Sequence, residues 1–168
     1  MQDVCFPCAN DVRPVRLWTP AARGVHLPVM SDHPRPAFDA PAPTADEIAA
    51  VAEETRAHFP APFADLAAEV RIEVADWPSE EMLDDFDMED AYDLTGLYDG
   101  VPLTERSVAD PPTRPDVVHL FRRPILDEWA WRSDVTLREL VAHVTVHEFA
   151  HHFGWSDDDI ARIDRWWE

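Results

Sequence analysis

Apolar residues recur at helical spacing in the first regular segment of the chain, where Ile48 and Val51 lie on one helical face. Thr44 stands three residues before Glu47, which is the capping-box pattern of a helix start. Two prolines follow shortly after the apolar pattern ends, and proline stops a helix. The segment therefore predicts a helix from Thr44 to about His58.

A second helical pattern is longer. Apolar residues recur over 137–144 at intervals of three and four, and Gly154 stands where a left-handed C-cap residue is expected. The run predicts one long amphipathic helix that ends at Gly154. Its start can be capped by Ser133, by Asp134 or by the capping-box pair Thr136 and Glu139.

Three short runs between these helices are typical of β-strands. Residues 70–74 alternate apolar and charged side chains, which indicates a half-buried strand, and residues 117–121 read as another strand. Residues 94–98 and 101–106 flank Asp99-Gly100, a dipeptide that favours a tight turn with positive φ at both positions. We therefore expect a β-hairpin there.

The remaining segments are less regular. Residues 80–93 hold eight acidic side chains and are expected to form a solvated loop, with one short helix around Met82 and Phe86 as the alternative. Residues 125–131 and 157–167 each predict a short helix.

Charge excludes one class of partner. The formal net charge of the 168 residues is −20, and no cluster of basic residues is present. A phosphate backbone would repel such a chain, so nucleic acid is not expected as a partner. The acidity favours solubility, and a negative surface also favours basic substrates.

The chain length suits one domain, which we expect at residues 44–168. Residues 1–43 are rich in proline and are expected to form a flexible N-terminal extension and a Pro/Ala-rich linker. The two cysteines, Cys5 and Cys8, supply no disulfide framework for the domain. No apolar run reaches the length of about 18 residues that suggests a membrane helix, and no secretory signal is evident. We therefore expect a cytoplasmic protein that does not enter a membrane.

The long predicted helix carries the candidate chemistry, because residues 147–151 read HEFAH and match the pattern HExxH. Residues four apart lie one above the other on a helix, so the imidazoles of His147 and His151 can point at one metal ion. Glu148 lies about 100° around the helix and can reach a water at the ion without binding the ion itself. These positions predict two metal ligands and a general base.

The residues after the motif offer a third ligand. Gly154 follows His151 by three residues and lets the chain turn sharply, and Asp157 follows by three more. Asp157 can then approach the same ion. Two histidines, one aspartate and a water suit four-coordinate zinc with one open position, so we expect one Zn²⁺ per chain.

Three segments resemble the small bacterial zincin-like metallopeptidases, or minimal zincins, whose pattern is HExxHxxGxxD. They read HEFAHHFG (147–154), GLYDGVPL (96–103) and PDVVHLF (115–121). The resemblance covers about residues 44–165. It implies an α+β fold in which a short mixed β-sheet packs against helices and the HExxH helix lines a groove.

The resemblance also implies a zinc-dependent hydrolase that cleaves peptide bonds, with Glu148 as general base and a peptide or protein as substrate. In zincins the strand nearest the groove pairs with an extended substrate, and residues 94–98 and 117–121 are both candidates. Eleven residues of the sequence follow Asp157, so we do not expect a second subdomain to form the far wall of a cleft. The alternative is a non-catalytic metal-binding or protein-interaction module with a degenerate zincin site. The sequence leaves the oligomeric state open.

Some weaker candidates accompany this site. Iron also binds two histidines and a carboxylate, but an iron site does not need Glu148. His143 and His119 could contribute to the site, although packing is the simpler interpretation of each. Two tyrosines, Tyr92 and Tyr98, are candidates for stabilising an oxyanion.

Overall fold

A computed structural model describes residues 41–107, 114–132 and 134–163. Within these ranges the chain forms helices and short strands, with two short 3₁₀ turns at Ala91–Asp93 and Leu103–Glu105. In chain order the elements are α1 (Ala45–Ala57), α2 (Phe63–Ala67), β1 (Arg71–Ala75), α3 (Glu80–Asp85), β2 (Gly96–Asp99), β3 (Val117–Phe121), α4 (Arg122–Trp131), α5 (Leu137–His152) and α6 (Asp157–Ile163).

The strands form one mixed sheet in the order β1-β3-β2. β1 runs parallel to β3, with Arg71 opposite Val117, and β2 runs antiparallel to β3, with Gly96 opposite Leu120. β3 is therefore hydrogen-bonded on both sides, whereas β1 and β2 lie at the edges of this sheet. The small mixed sheet and its helices confirm the predicted α+β class.

Both long helices begin where the capping boxes predict. The Thr44 side chain accepts a hydrogen bond from the Glu47 N–H (3.2 Å), and the Glu47 carboxylate accepts one from the Thr44 N–H (2.7 Å). Thr136 and Glu139 make the same reciprocal pair at the start of α5. An N-cap of this kind stabilises a helix by about 1 kcal/mol.

Helices α1 and α5 cover one face of the sheet. Their side chains form a buried cluster with those of β3, which includes Ile48 from α1, Val118 and Leu120 from β3, and Leu140 and Val144 from α5. Burying one such side chain contributes about 1.5–3 kcal/mol. This packing holds α5, the helix with the HExxH motif, against the centre of the sheet.

The opposite face of the sheet carries a smaller apolar cluster, formed by Met88, Leu94, Leu97 and Phe121. Side chains from the acidic segment pack against this cluster, so residues 80–85 form helix α3 instead of the solvated loop that we expected. The alternative of one short helix is confirmed. Ser79 caps this helix by accepting a hydrogen bond from the Met82 N–H (3.2 Å).

The predicted hairpin at Asp99-Gly100 is wrong. Residues 101–106 do not form a strand; Leu103–Glu105 is a 3₁₀ turn, and β2 pairs with β3. Among the described residues, positive φ occurs at Asp87 and Gly154 and at neither residue of the predicted turn.

Side-chain contacts explain why the segment turns differently. Arg106 Nε donates to the Val101 carbonyl oxygen (2.9 Å), and the Tyr98 hydroxyl lies 3.1 Å from the same oxygen. These contacts fold the segment back over β2. Gly100 is needed for this close approach, because a Cβ there would lie 2.5 Å from the Tyr98 hydroxyl.

Other boundaries differ by a few residues. β1 is shifted by one residue from the prediction, and α4 begins at Arg122 instead of residue 125. Pro124 lies in the first turn of α4, where its missing N–H would have had no helical partner. Helix α2 was not predicted, because its five residues follow two prolines and are too few to show a helical period.

The expectations for Cys5, for Cys8 and for nearly all of the N-terminal extension lie outside the described residues. No described helix combines the length and the apolar character that crossing a bilayer requires.

Candidate metal site

Helix α5 places two histidines side by side. His147 and His151 are one helical turn apart, and their ring centroids are separated by 4.9 Å. Both side chains are more than 90% buried. The four-residue spacing therefore gives the arrangement that the sequence predicts, with both imidazoles on one face of the helix.

A tight turn follows α5 and reverses the chain. Gly154 has φ +94°, its N–H donates to the His151 carbonyl (2.9 Å), and the Trp155 N–H donates to the Ala150 carbonyl (3.0 Å). These are the two hydrogen bonds of a Schellman motif, and the left-handed residue is a glycine, as predicted. The turn lets α6 begin at Asp157, directly beside the two histidines.

Asp157 completes a cluster of three potential ligands. Its Oδ1 lies 3.3 Å from His147 Nε2 and 3.4 Å from His151 Nε2. One potential ligand atom from each residue lies within 4.8 Å of the other two. Burial raises the pKa of the Asp157 carboxyl, but the two histidines lower it more, so the net pKa lies below its ordinary value.

The backbone fixes the orientation of the His151 ring. Its Nδ1 lies 3.0 Å from the Trp155 carbonyl oxygen, which can only accept a hydrogen bond. Nδ1 therefore carries the hydrogen, and Nε2 is left to face Asp157. Metal-binding histidines are commonly oriented by a carbonyl in this way. The Trp155 carbonyl was not predicted, because a main-chain oxygen has no signature in the sequence.

The atoms that face the centre of the cluster suit a cation. His151 Nε2 is buried and has no hydrogen-bond partner within the described part of the chain, although Asp157 Oδ1 lies 3.4 Å away. The lone pair of His151 Nε2 therefore faces a lone pair of Asp157 Oδ1, and the two repel each other. A cation bound between the two atoms would remove this repulsion. Burial lowers the pKa of His151, but Asp157 raises it more, so the net shift is upward. Two imidazoles and one carboxylate are a donor set that fits zinc.

Glu148 lies on the sheet side of the same helical turns and is 1% exposed. Its Oε1 has no hydrogen-bond partner among the described residues. The Tyr98 backbone N–H lies close enough to the carboxylate to lower its pKa. Burial raises the pKa of the Glu148 carboxyl, against the opposing influence of His147 and His151. The Glu148 carboxylate is thus shielded from solvent, and its Oε1 makes no hydrogen bond to a described residue.

Gly96 makes room for the Glu148 carboxylate. A Cβ at position 96 would lie 2.8 Å from Glu148 Oε1 and 2.8 Å from a methyl group of Val144. Strand β2 can therefore approach the helix only because residue 96 has no side chain. No pattern in the sequence identifies this role, although residue 96 opens one of the three segments that carry the family resemblance.

The weaker candidates lie elsewhere or have other contacts. His143 is buried, and its ring centroid lies 6.3 Å from that of His147. His119 alternates along β3 with the core residues Val118 and Leu120, so its side chain points to the face of the sheet away from α5. The Tyr98 hydroxyl is occupied by other partners, and Tyr92 is half exposed and packs edge-to-face on Trp77.

An α+β domain in which a helix holds HExxH beside a short mixed sheet has the architecture of a zincin. The family model for "zincin-like metallopeptidase" matches residues 67–167, and the chain belongs to this family. The resemblance found in the sequence is thereby confirmed. Comparison with curated proteins finds no match.

Proposed function

We propose that the protein is a zinc-dependent peptidase, in which His147, His151 and Asp157 bind one Zn²⁺ per chain and Glu148 is the general base. Family membership supports the class of metallopeptidase. The ligand set, the base and the reaction are our proposal.

The strongest support for this proposal is that the Glu148 side chain is buried and that its Oε1 has no hydrogen-bond partner among the described residues. A carboxylate that is buried with an oxygen lacking any partner destabilises a fold, since its desolvation is not offset. A module that only binds metal through His147, His151 and Asp157 has no need of such a group. A hydrolase needs it, because the base must take a proton from the attacking water.

Each side chain then has a defined task. The zinc ion, when bound, would polarise the scissile carbonyl and make a water more acidic. Glu148 accepts a proton from the attacking water and passes it to the leaving amine. Its raised pKa suits this exchange, because a more basic carboxylate accepts a proton more readily. The Trp155 carbonyl keeps His151 in the tautomer that leaves Nε2 free.

The sheet leaves one strand for a substrate near the site. β3 is paired on both sides, so of the two candidate strands only β2, at the edge of the sheet, remains. β2 also lies against Glu148 through Gly96. We propose that an extended peptide binds beside β2, and the net charge of −20 favours peptides with basic side chains.

The substitution Glu148→Gln tests the proposed function. The variant keeps the shape of the side chain and all three potential ligands, so we expect unchanged zinc content. Cleavage of a fluorogenic peptide library should fall by about 1,000-fold in kcat, within the usual range for a lost general base. Glu69→Gln is the matched control, because Glu69 is exposed and lies outside the site.

Peptide cleavage at an equal rate in wild type and Glu148→Gln would overturn the assignment of the base. A wild-type protein that binds zinc but cleaves no peptide in the library would favour the non-catalytic metal-binding module.

A further inference from the structure

A second polar cluster lies on the other side of the last turn of α5, outside the candidate metal site. At its centre is Tyr98, whose side chain is 2% exposed. The Tyr98 hydroxyl donates to Asp116 Oδ1 (2.9 Å) and lies 3.1 Å from His152 Nδ1. We call the four residues Tyr98, His152, Asp116 and Arg106 the tyrosine network.

Both ends of the tyrosine network are anchored. Arg106 forms an ion pair with Asp116 Oδ2 and donates through Nε to the Val101 carbonyl. At the other end, His152 Nε2 donates to the Leu66 carbonyl (3.2 Å). The network thus joins helix α2, strand β2, the segment before β3 and the end of α5.

The Tyr98 hydroxyl stays a donor within this network. Burial and the adjacent Asp116 carboxylate raise the pKa of the phenol well above its usual range. A protonated hydroxyl fixed by a carboxylate has little freedom to turn away. The ring also packs edge-to-face on His152, with centroids 5.4 Å apart.

Tyr98 contacts the candidate metal site from two directions. Strand β2 packs against Glu148 at Gly96, two residues before Tyr98, and the Tyr98 backbone N–H lowers the pKa of the Glu148 carboxyl. The Tyr98 hydroxyl contacts His152, the neighbour of His151. One residue of β2 is therefore connected both to the proposed base and to the end of the helix with the proposed ligands. A shift of Tyr98 along β2 would move the base relative to those ligands.

We propose that Tyr98 is a positioning residue, and that the tyrosine network sets the placement of Glu148 and His151 relative to each other. The inference rests on the proposed metal site and deepens it. A phenylalanine would fill the same volume in the core, so the hydroxyl serves orientation and not packing. Tyr98→Phe should then change the geometry of the metal site, whereas a purely structural residue would change only stability.

Cobalt provides a readout that needs no peptidase activity. Co²⁺ occupies zinc sites, and its visible absorption reports the geometry of the ligands around it. The chelator-stripped protein is loaded with Co²⁺ well below its unfolding temperature, and the folded fraction is checked by circular dichroism. The visible spectrum and the Co²⁺ affinity are then compared for wild type, Tyr98→Phe and Tyr92→Phe. The last is a matched control, because Tyr92 is half exposed and lies outside the network.

We expect Tyr98→Phe to alter the Co²⁺ spectrum and to weaken Co²⁺ binding by about tenfold, the lower end of the effect of residues that orient metal ligands. Tyr92→Phe should leave both unchanged. Arg106→Lys, at the partly exposed end of the network, should shift the spectrum in the same direction by a smaller amount. If Tyr98→Phe does not fold, the Co²⁺ spectrum of Arg106→Lys shows whether the tyrosine network affects the geometry of the metal site.

A lower unfolding temperature in Tyr98→Phe with a wild-type spectrum and affinity would overturn the inference and leave the proposed function intact. An altered spectrum in a protein that cleaves no peptide would support the inference and contradict the proposed function. A wild-type protein that binds no Co²⁺ would overturn both.

Discussion

Two polar clusters border the last turns of α5, and they differ in how completely their groups are paired. In the tyrosine network, each side-chain polar atom of Tyr98 and His152 lies within 3.2 Å of a polar atom of another described residue. In the candidate metal site, Glu148 Oε1 and His151 Nε2 are buried, and neither has a hydrogen-bond partner in the ranges that the structure describes.

The difference indicates what each cluster is for. A buried polar group without a partner destabilises the fold by about 1–3 kcal/mol. Such a group persists where function requires it, whereas a satisfied network rigidifies the structure around it. Tyr98 and His152 have polar neighbours among the described residues, whereas Glu148 Oε1 and His151 Nε2 make no hydrogen bond to them. Three sets of variants test this contrast.

The largest effect should follow from removing the charged ligand of the incomplete cluster. Asp157→Asn takes away the carboxylate between the two histidines, and we expect zinc affinity to fall by about 100-fold or more, since oriented ligands of this kind dominate the affinity of such a site. Competition with a chromogenic zinc chelator measures the change. Asp158→Asn is the matched control, because this neighbouring aspartate is exposed. An equal loss in both variants would mean that net charge, and not coordination, controls zinc binding.

A smaller effect should follow at the turn that brings Asp157 to the histidines. Gly154 has φ +94°, and a Cβ there would collide with the side chain of Thr104. Gly154→Ala should lower the free energy of unfolding by about 2–3 kcal/mol, from the left-handed backbone and the overpacking together. Urea denaturation measures this change. The double variant with Thr104→Ala should recover part of the loss; full recovery would show that backbone conformation contributes nothing.

The smallest effect concerns the unpaired carboxylate in the metal-free protein. Burial raises the folded-state pKa of Glu148, so its contribution to stability is fully present below the unfolded-state pKa and is lost as pH rises through the folded-state pKa. Glutamine does not titrate. Glu148→Gln should therefore be more stable than wild type by about 1 kcal/mol at neutral pH, with a smaller gain in acid.

Thermal unfolding from pH 4 to pH 8 measures this difference, with Glu69→Gln as the control that should match wild type. A gain that does not depend on pH would show that the buried charge is not its origin.

The sequence predicts best what depends on near neighbours. The capping boxes of α1 and α5, the glycine cap at Gly154 and the grouping of His147, His151 and Asp157 all depend on spacings of ten residues or fewer. Such spacings convert directly into geometry on a helix or at its end.

The features that the sequence did not predict depend on distant contacts. The expected hairpin at Asp99-Gly100 fails because Tyr98 and Arg106 both contact the Val101 carbonyl. Asp116, 18 residues from Tyr98, holds both of these side chains in place. Helix α3 forms because its apolar side chains meet a cluster on the sheet. Pairings of this kind have no local periodicity, so only the folded chain reveals the tyrosine network.

We propose that His147, His151 and Asp157 together bind one zinc ion. The most direct test is the zinc content per chain, measured by elemental mass spectrometry on protein purified without chelator, for wild type and His147→Ala. We predict about one zinc per chain in wild type and almost none in the variant, as a site that loses one of three protein ligands requires. Equal zinc in both proteins, or no zinc in wild type even after zinc is added, would contradict the account.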